Sequence, residues 1–128
     1  MAKRHLNIQK VGQVSVPVHD LGKAVQFYQE VLELPFLFEA PNMAFFECNG
    51  LRLLLSIPEN DQFDHPSSTL YFQVEDIQRS FELLTERGTA VLGKPHKIAE
   101  MDGMETWMAF FKDPDENIHA LTSEVPTK

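Results

Sequence analysis

The sequence predicts an α+β fold: two βαβββ modules forming a cup-shaped half-barrel, with the helices on the outside. Two internal echoes carry this reading. Met43-Ala44-Phe45-Phe46 returns as Met108-Ala109-Phe110-Phe111, an offset of 108 − 43 = 65. The stretch from Val14 to Leu21 is echoed from Leu70 to Ile77, with Asp20 answered by Asp76 at an offset of 76 − 20 = 56. Two echoes in the same order mark a duplicated unit. The excess of 65 − 56 = 9 residues places an insertion within the second unit. Each unit's helix can cover only one face of its sheet, so the other face is left to line a hollow. The 128 residues then make one domain: module 1 at about 11–57, a connection at 58–67 and module 2 at about 68–125.

The elements follow from local pattern. Residues 1–10 are polar and read as a loose arm without the apolar stretch of a signal peptide. Gln13 to Val18 alternate, with Val14, Val16 and Val18 on one side and Gln13, Ser15 and Pro17 on the other, which predicts a half-buried strand. Pro17 cannot donate to a ladder and belongs at a sheet edge. Asp20 caps a helix whose inward stripe is Leu21, Ala24, Val25, Tyr28, Val31 and Leu32, stopped by Pro35. Strands are expected at 36–40, 43–48 and 51–57, with Asn49-Gly50 as a hairpin turn. In module 2, Thr69 to Val74 alternate again. Asp76 caps a helix closed by Gly88. A strand begins at Thr89 and is interrupted by Gly93-Lys94-Pro95. Asp102-Gly103 turns a second hairpin into strand 104–112. The turn Asp113–Asn117 leads to strand 118–124, and the insertion falls around 93–103.

Composition narrows the partners. A formal net charge of −8 argues against nucleic acid or an anionic membrane surface, both of which need a basic face. No apolar run has membrane-spanning length. Cys48, the only cysteine, permits no intrachain disulfide and suits a reduced, cytoplasmic setting. It reads as a small apolar residue beside a hairpin turn rather than a nucleophile.

The motifs Asp20-Leu21, Ala24-x-x-Phe27-Tyr28, Val74-Glu75-Asp76 and Asp113-Pro114-Asp115-x-Asn117 resemble the vicinal oxygen chelate (VOC) superfamily across about residues 10–125. That group contains glyoxalase I, fosfomycin and bleomycin resistance proteins, and extradiol dioxygenases. The resemblance is specific for fold and not for activity, because one scaffold hosts many chemistries. It implies a homodimer, with the cup in several members built from two chains. In metal-dependent members it implies four ligands, on the first and last strands of each module, open to a substrate's neighbouring oxygens. The corresponding positions are Gln13, Leu53 or Leu54 (depending on register), Thr69 and Ala120. Leu and Ala offer no lone pair, so no metal and no other cofactor is expected at the usual site. The resemblance also implies a tight turn where relatives place Gly and this chain has Glu116, so Glu116 or Asn117 should take positive φ, more easily Asn.

The remaining polar residues of the hollow, Gln13, Ser15, Thr69, Tyr71 and Gln73, then form a neutral patch ringed by Phe and Met and joined by Trp107. An apolar pocket with a few convergent polar groups suits a small, aromatic organic ligand. The alternative is an enzyme, a glyoxalase-like lyase or isomerase or a dioxygenase, with a relocated site. Its candidate catalytic residues are Glu47, His96 and Glu105: His96, overhanging the cup, would pair with Glu105 or Glu47 as acid and base or hold a divalent metal. His119 is expected on the helix-facing side as a satisfied structural group.

Overall fold

The alternation of module 1 becomes strand β1 (Gln13–Pro17) in the structure, a computed structural model that describes residues 5–127. Residues 5–12 run exposed and without regular structure, and residues 1–4 of the expected arm lie outside the described residues. Asp20 caps helix α1 (Leu21–Gln26), its Oδ1 accepting from Lys23 N–H at 3.1 Å. The helix does not continue as α. Phe27–Val31 form a π-helical turn, closed by Leu32 N–H donating to Phe27 O, five residues back, at 3.1 Å. The wider turn buries Phe27 beside Tyr28, and the helical stripe read from the sequence had passed over Phe27.

Strands β2 (Phe36–Ala40), β3 (Met43–Cys48) and β4 (Leu51–Ser56) complete the first sheet in the order β1-β4-β3-β2. Strand β1 is an edge and runs parallel to β4, so Pro17 sits where a missing donor is tolerated. Module 2 repeats the plan with β5 (Tyr71–Gln73), helix α2 (Ile77–Glu86), β6 (Ala90–Val91), β7 (His96–Met101), β8 (Met104–Lys112) and β9 (Ile118–Pro126). Its order is β5-β9-β8-β6, with β7 also paired to β8. The insertion is the restart of this outer strand: Gly93, at φ +101°, separates β6 from β7, and both run antiparallel to the long β8. Both hairpin turns have φ > 0 at both central residues, Asn49 and Gly50 at +50° and +93°, Asp102 and Gly103 at +54° and +77°, which matches the twist of the flanking strands.

Helix α1 lies on the first sheet and α2 on the second, and the two modules share one core. Phe27 meets Phe111 with ring centroids 6.3 Å apart, and Tyr28 meets His119 at 6.1 Å. Residues opposite one another across a ladder share a face, so register decides which side chains are left for the hollow. Among the described residues no helix is long and apolar enough to cross a membrane.

Candidate functional site on the open sheet faces

On the first sheet, the face away from α1 is built in three rows. Gln13, Arg52 and Glu47 are aligned; Ser15, Leu54, Phe45 and Phe38 come next; Pro17, Ser56, Met43 and Ala40 follow. The repeated Met-Ala-Phe-Phe segment splits here, Ala44 and Phe46 going to the core while Met43 and Phe45 stay on the open face. Phe38 stacks on Phe45 at 4.4 Å, and the Arg52 guanidinium stands over both rings, 5.9 and 5.6 Å from their centroids. The expectation of a neutral face therefore fails on this sheet. Arg52 follows the hairpin in Asn49-Gly50-Leu51-Arg52, and its pairing with Gln13 is fixed only by the parallel register, which the sequence did not display.

The third row opens into a cavity of about 630 Å³, lined by Ser15, Pro17, Met43 and Ser56 and roofed by Phe63 and His65 of the connection. The connection folds over the sheet because Asn60 Oδ1 accepts from Gln62 N–H at 2.9 Å, starting a 3-10 turn at Asp61–Phe63. Its far end is held by His19, whose Nε2 lies 2.8 Å from Asp64 Oδ1 and whose backbone N–H donates to Asp115 Oδ1 at 2.8 Å. The Asp64 hydrogen bond, then its charge, raises the His19 pKa above the usual imidazole value of 6.5.

On the second sheet the open face carries Tyr71, Ala120 and Phe110 in one row and Gln73, Thr122, Met108 and His96 in the next. Tyr71 packs edge-on against Phe110 at 6.1 Å, and His96 tilts over Phe110 at 6.4 Å. His96 Nδ1 donates to the Lys94 carbonyl at 3.0 Å, which leaves the Nε2 lone pair free in the neutral ring. The two expected partners are not brought to it. Glu105 and Trp107 lie on the opposite face of β8, where Trp107 packs against the core and its Nε1–H donates to Glu105 at 2.9 Å. Trp107 is thus a half-buried residue packed on the core side of β8 and not part of the open face, because strand alternation puts it in step with Ala109 and Phe111 rather than with Met108 and Phe110. Glu47 is on the first sheet and accepts from Gly50 N–H at the turn. The polar set expected to converge is divided likewise: Gln13 and Ser15 on the first sheet, Tyr71 and Gln73 on the second, with half-buried Thr69 just ahead of β5.

Register also settles the ambiguous metal position. Ser15 faces Leu54 and Tyr71 faces Ala120, so the repeat-related pair is Leu54 and Ala120, while Leu53 is in the core. Both occupants are hydrocarbon, and Gln13 and Thr69 are neutral donors on different sheets. These residues do not fit the four-ligand set of metal-dependent relatives. Among the described residues no cluster of three His, Cys, Asp or Glu is placed to hold an ion.

Behind the open faces lies a buried network that the sequence reading did not assemble. Leu70 N–H donates to His119 Nδ1 at 3.3 Å, so the ring proton is on Nε2. That proton is donated to Tyr28 Oη at 2.9 Å, and Tyr28 donates to Asp113 Oδ2 at 2.6 Å. Burial lowers the His119 pKa, which keeps the ring neutral, and burial followed by the Asp113 charge raises that of Tyr28. Asp113 also accepts from the backbone N–H groups of Asp115 and Asn117, at 2.9 and 2.8 Å. The Asn117 side chain reaches Pro17 O at 3.0 Å, tying the late turn to β1. His119 is the satisfied structural group expected. Glu116, not Asn117, takes the positive φ, at +66°, because Asn117 is committed to these contacts.

Residues 10–120 match the family model of the Glyoxalase/Bleomycin resistance protein/Dioxygenase superfamily. The protein YraH of Bacillus subtilis is 29% identical over 123 residues, spanning 85% of this chain and 94% of YraH. The metallothiol transferase FosB of Staphylococcus saprophyticus is 24% identical over 114 residues, 84% of this chain and 72% of FosB. Among solved structures, TnmS3, an antibiotic binding protein from Streptomyces sp. CB03234, superposes with a TM-score of 0.75 at 26% identity, covering 94% of this chain and 100% of that one.

Proposed function

This chain belongs to the glyoxalase/bleomycin resistance protein/dioxygenase superfamily, and within it we propose a cytoplasmic small-molecule-binding protein that takes an aromatic ligand on its open sheet faces without the usual metal. The observation carrying this reading is the composition of those faces. Phe38, Phe45, Met43, Phe110 and Tyr71 line them, while Leu54 and Ala120 stand where ligating side chains would be. The likeness to an antibiotic binding protein supports the same reading. Tyr71 remains 52% exposed and Phe38 46%, more than a finished aromatic pocket leaves in water, so a second copy is proposed to close the cup as a homodimer.

The enzyme alternative keeps one specific observation in its favour, the free His96 Nε2 over Phe110. A general base there needs no metal but needs a substrate proton within hydrogen-bond reach. One experiment separates the readings: the dialysed protein is titrated calorimetrically with a panel of aromatic antibiotics and organic acids, with and without added Zn²⁺ or Mn²⁺. Stoichiometric binding indifferent to metal is expected. Binding or turnover that appears only with metal would shift the case to the enzyme, and an empty panel would dismiss the binding protein.

A further inference from the structure

Arg52 differs from the other arginines of the described residues. Arg79 lies 3.6 Å from Glu82, and Arg87 bonds Glu33 and the Val31 carbonyl, each at 2.7 Å. Arg52 has no carboxylate partner among the described residues, in a chain with 19 acidic side chains and a formal charge of −8. Its lateral neighbour Glu47 is turned back to the Gly50 N–H. The guanidinium instead stands over two stacked rings, and its N–H donors have no hydrogen-bond partner among the described residues. Gln13 is its register partner on β1, on the side away from the rings, and Lys10 Nζ donates to the Gly50 carbonyl at 3.2 Å. Its head overlies the Phe38–Phe45 end of the second row, and the cavity opens from the neighbouring third row, where Met43 on the same strand as Phe45 is one of its walls. The cavity's acidic group, Glu59, comes from the connection and not from the strands around Arg52.

We propose that Arg52, standing beside this cavity, is the residue that binds the anionic end of its ligand and that the ligand it selects is an aromatic carboxylate. The ligand's ring lies in the cavity against Met43 and beneath Phe63, and its carboxylate reaches out to be forked by the guanidinium above Phe45. This rests on the first sheet's open face being the binding surface. A planar fork over aromatic rings recognises a carboxylate in two parallel hydrogen bonds, which a lysine cannot reproduce. A neutral isostere keeps the ring contacts and loses the charge.

The test uses the full chain, with 2-naphthoate and its neutral isostere 2-naphthamide as calorimetric probes, at low and high salt. The wild type should favour naphthoate by about tenfold, and salt should shrink the preference because the site is open to solvent. Arg52→Gln should bind both probes with the affinity wild type shows for the amide, and Arg52→Lys should keep part of the preference. Equal binding of both probes by wild type, or a preference that survives in Arg52→Gln, overturns the carboxylate assignment and leaves the pocket standing. Failure of wild type to bind either probe overturns the pocket and the assignment together. A circular-dichroism melt of each variant confirms folding, and the salt dependence of wild type reads the same charge without substitution.

Discussion

Tyr28 shows how much one hydroxyl can hold. It accepts from His119 and donates to Asp113, and both partners are buried, so removing it leaves the His119 Nε2–H without an acceptor and costs the Asp113 carboxylate one of its donors. Tyr28→Phe keeps the ring volume and should destabilise the fold by about 2 kcal/mol, read by urea denaturation. Glu116 shows the opposite case. At φ +66° an L-residue pays a steric cost that glycine avoids, partly offset by the greater freedom of glycine in the unfolded chain. Glu116→Gly should gain about 0.5–1 kcal/mol net, seen as a melting point higher by a few degrees. An unchanged or lower melting point would mean the glutamate side chain contributes something its exposed position does not suggest.

At the level of elements, strands and caps were legible in the sequence because they are local. Alternation located β1 and β5, and Asp20 and Asp76 announced their helices as caps with an N–H donor three residues on. The π-helical turn was not legible, since nothing in Phe27–Val31 distinguishes a five-residue closure from a four-residue one. The face of Trp107 was misjudged because the aromatic ring was expected in the hollow, whereas its parity along β8 sends it to the core. Arg52 was not legible because the aromatic pair it stands over is assembled by cross-strand register. The connection makes its own prediction. The His19 pKa is raised, so the stabilisation from its contacts is complete below the usual 6.5 and is lost as pH rises through the higher folded value. Asp64→Asn should lower the His19 pKa measured by NMR titration. It should also flatten the loss of hydrogen-exchange protection that the wild-type connection, residues 58–67, shows on going from acid to alkaline pH.

For the molecule as a whole, the modules are repeats in sequence but not independent bodies. Phe27 against Phe111, the His119–Tyr28–Asp113 chain, Asn117 to Pro17 and Arg87 to Val31 and Glu33 all cross between them. Neither half can bury its share of that contact alone. Unfolding should therefore be one cooperative event, with Trp107 fluorescence, from module 2, and far-UV ellipticity, from both modules, tracing the same denaturation curve. Two separated midpoints would show the halves melting apart. The duplication was legible from the two sequence echoes. The core they share was not, because it depends on side chains meeting across long sequence separations, 85 residues in the case of Tyr28 and Asp113.

Having two copies of one plan in a single gene also frees them from each other. Ser15 and Tyr71 are repeat mates facing Leu54 and Ala120, so the mate of Arg52 is found two residues before Ala120, at Ile118. An ancestor assembled from identical single modules would have had to place the same side chain on both walls. A fused chain is free of that constraint, and one wall carries a cation where its twin shows an aliphatic residue. A guest entering such a chamber meets a head end and a tail end, and an unsymmetrical molecule then has one favoured way round.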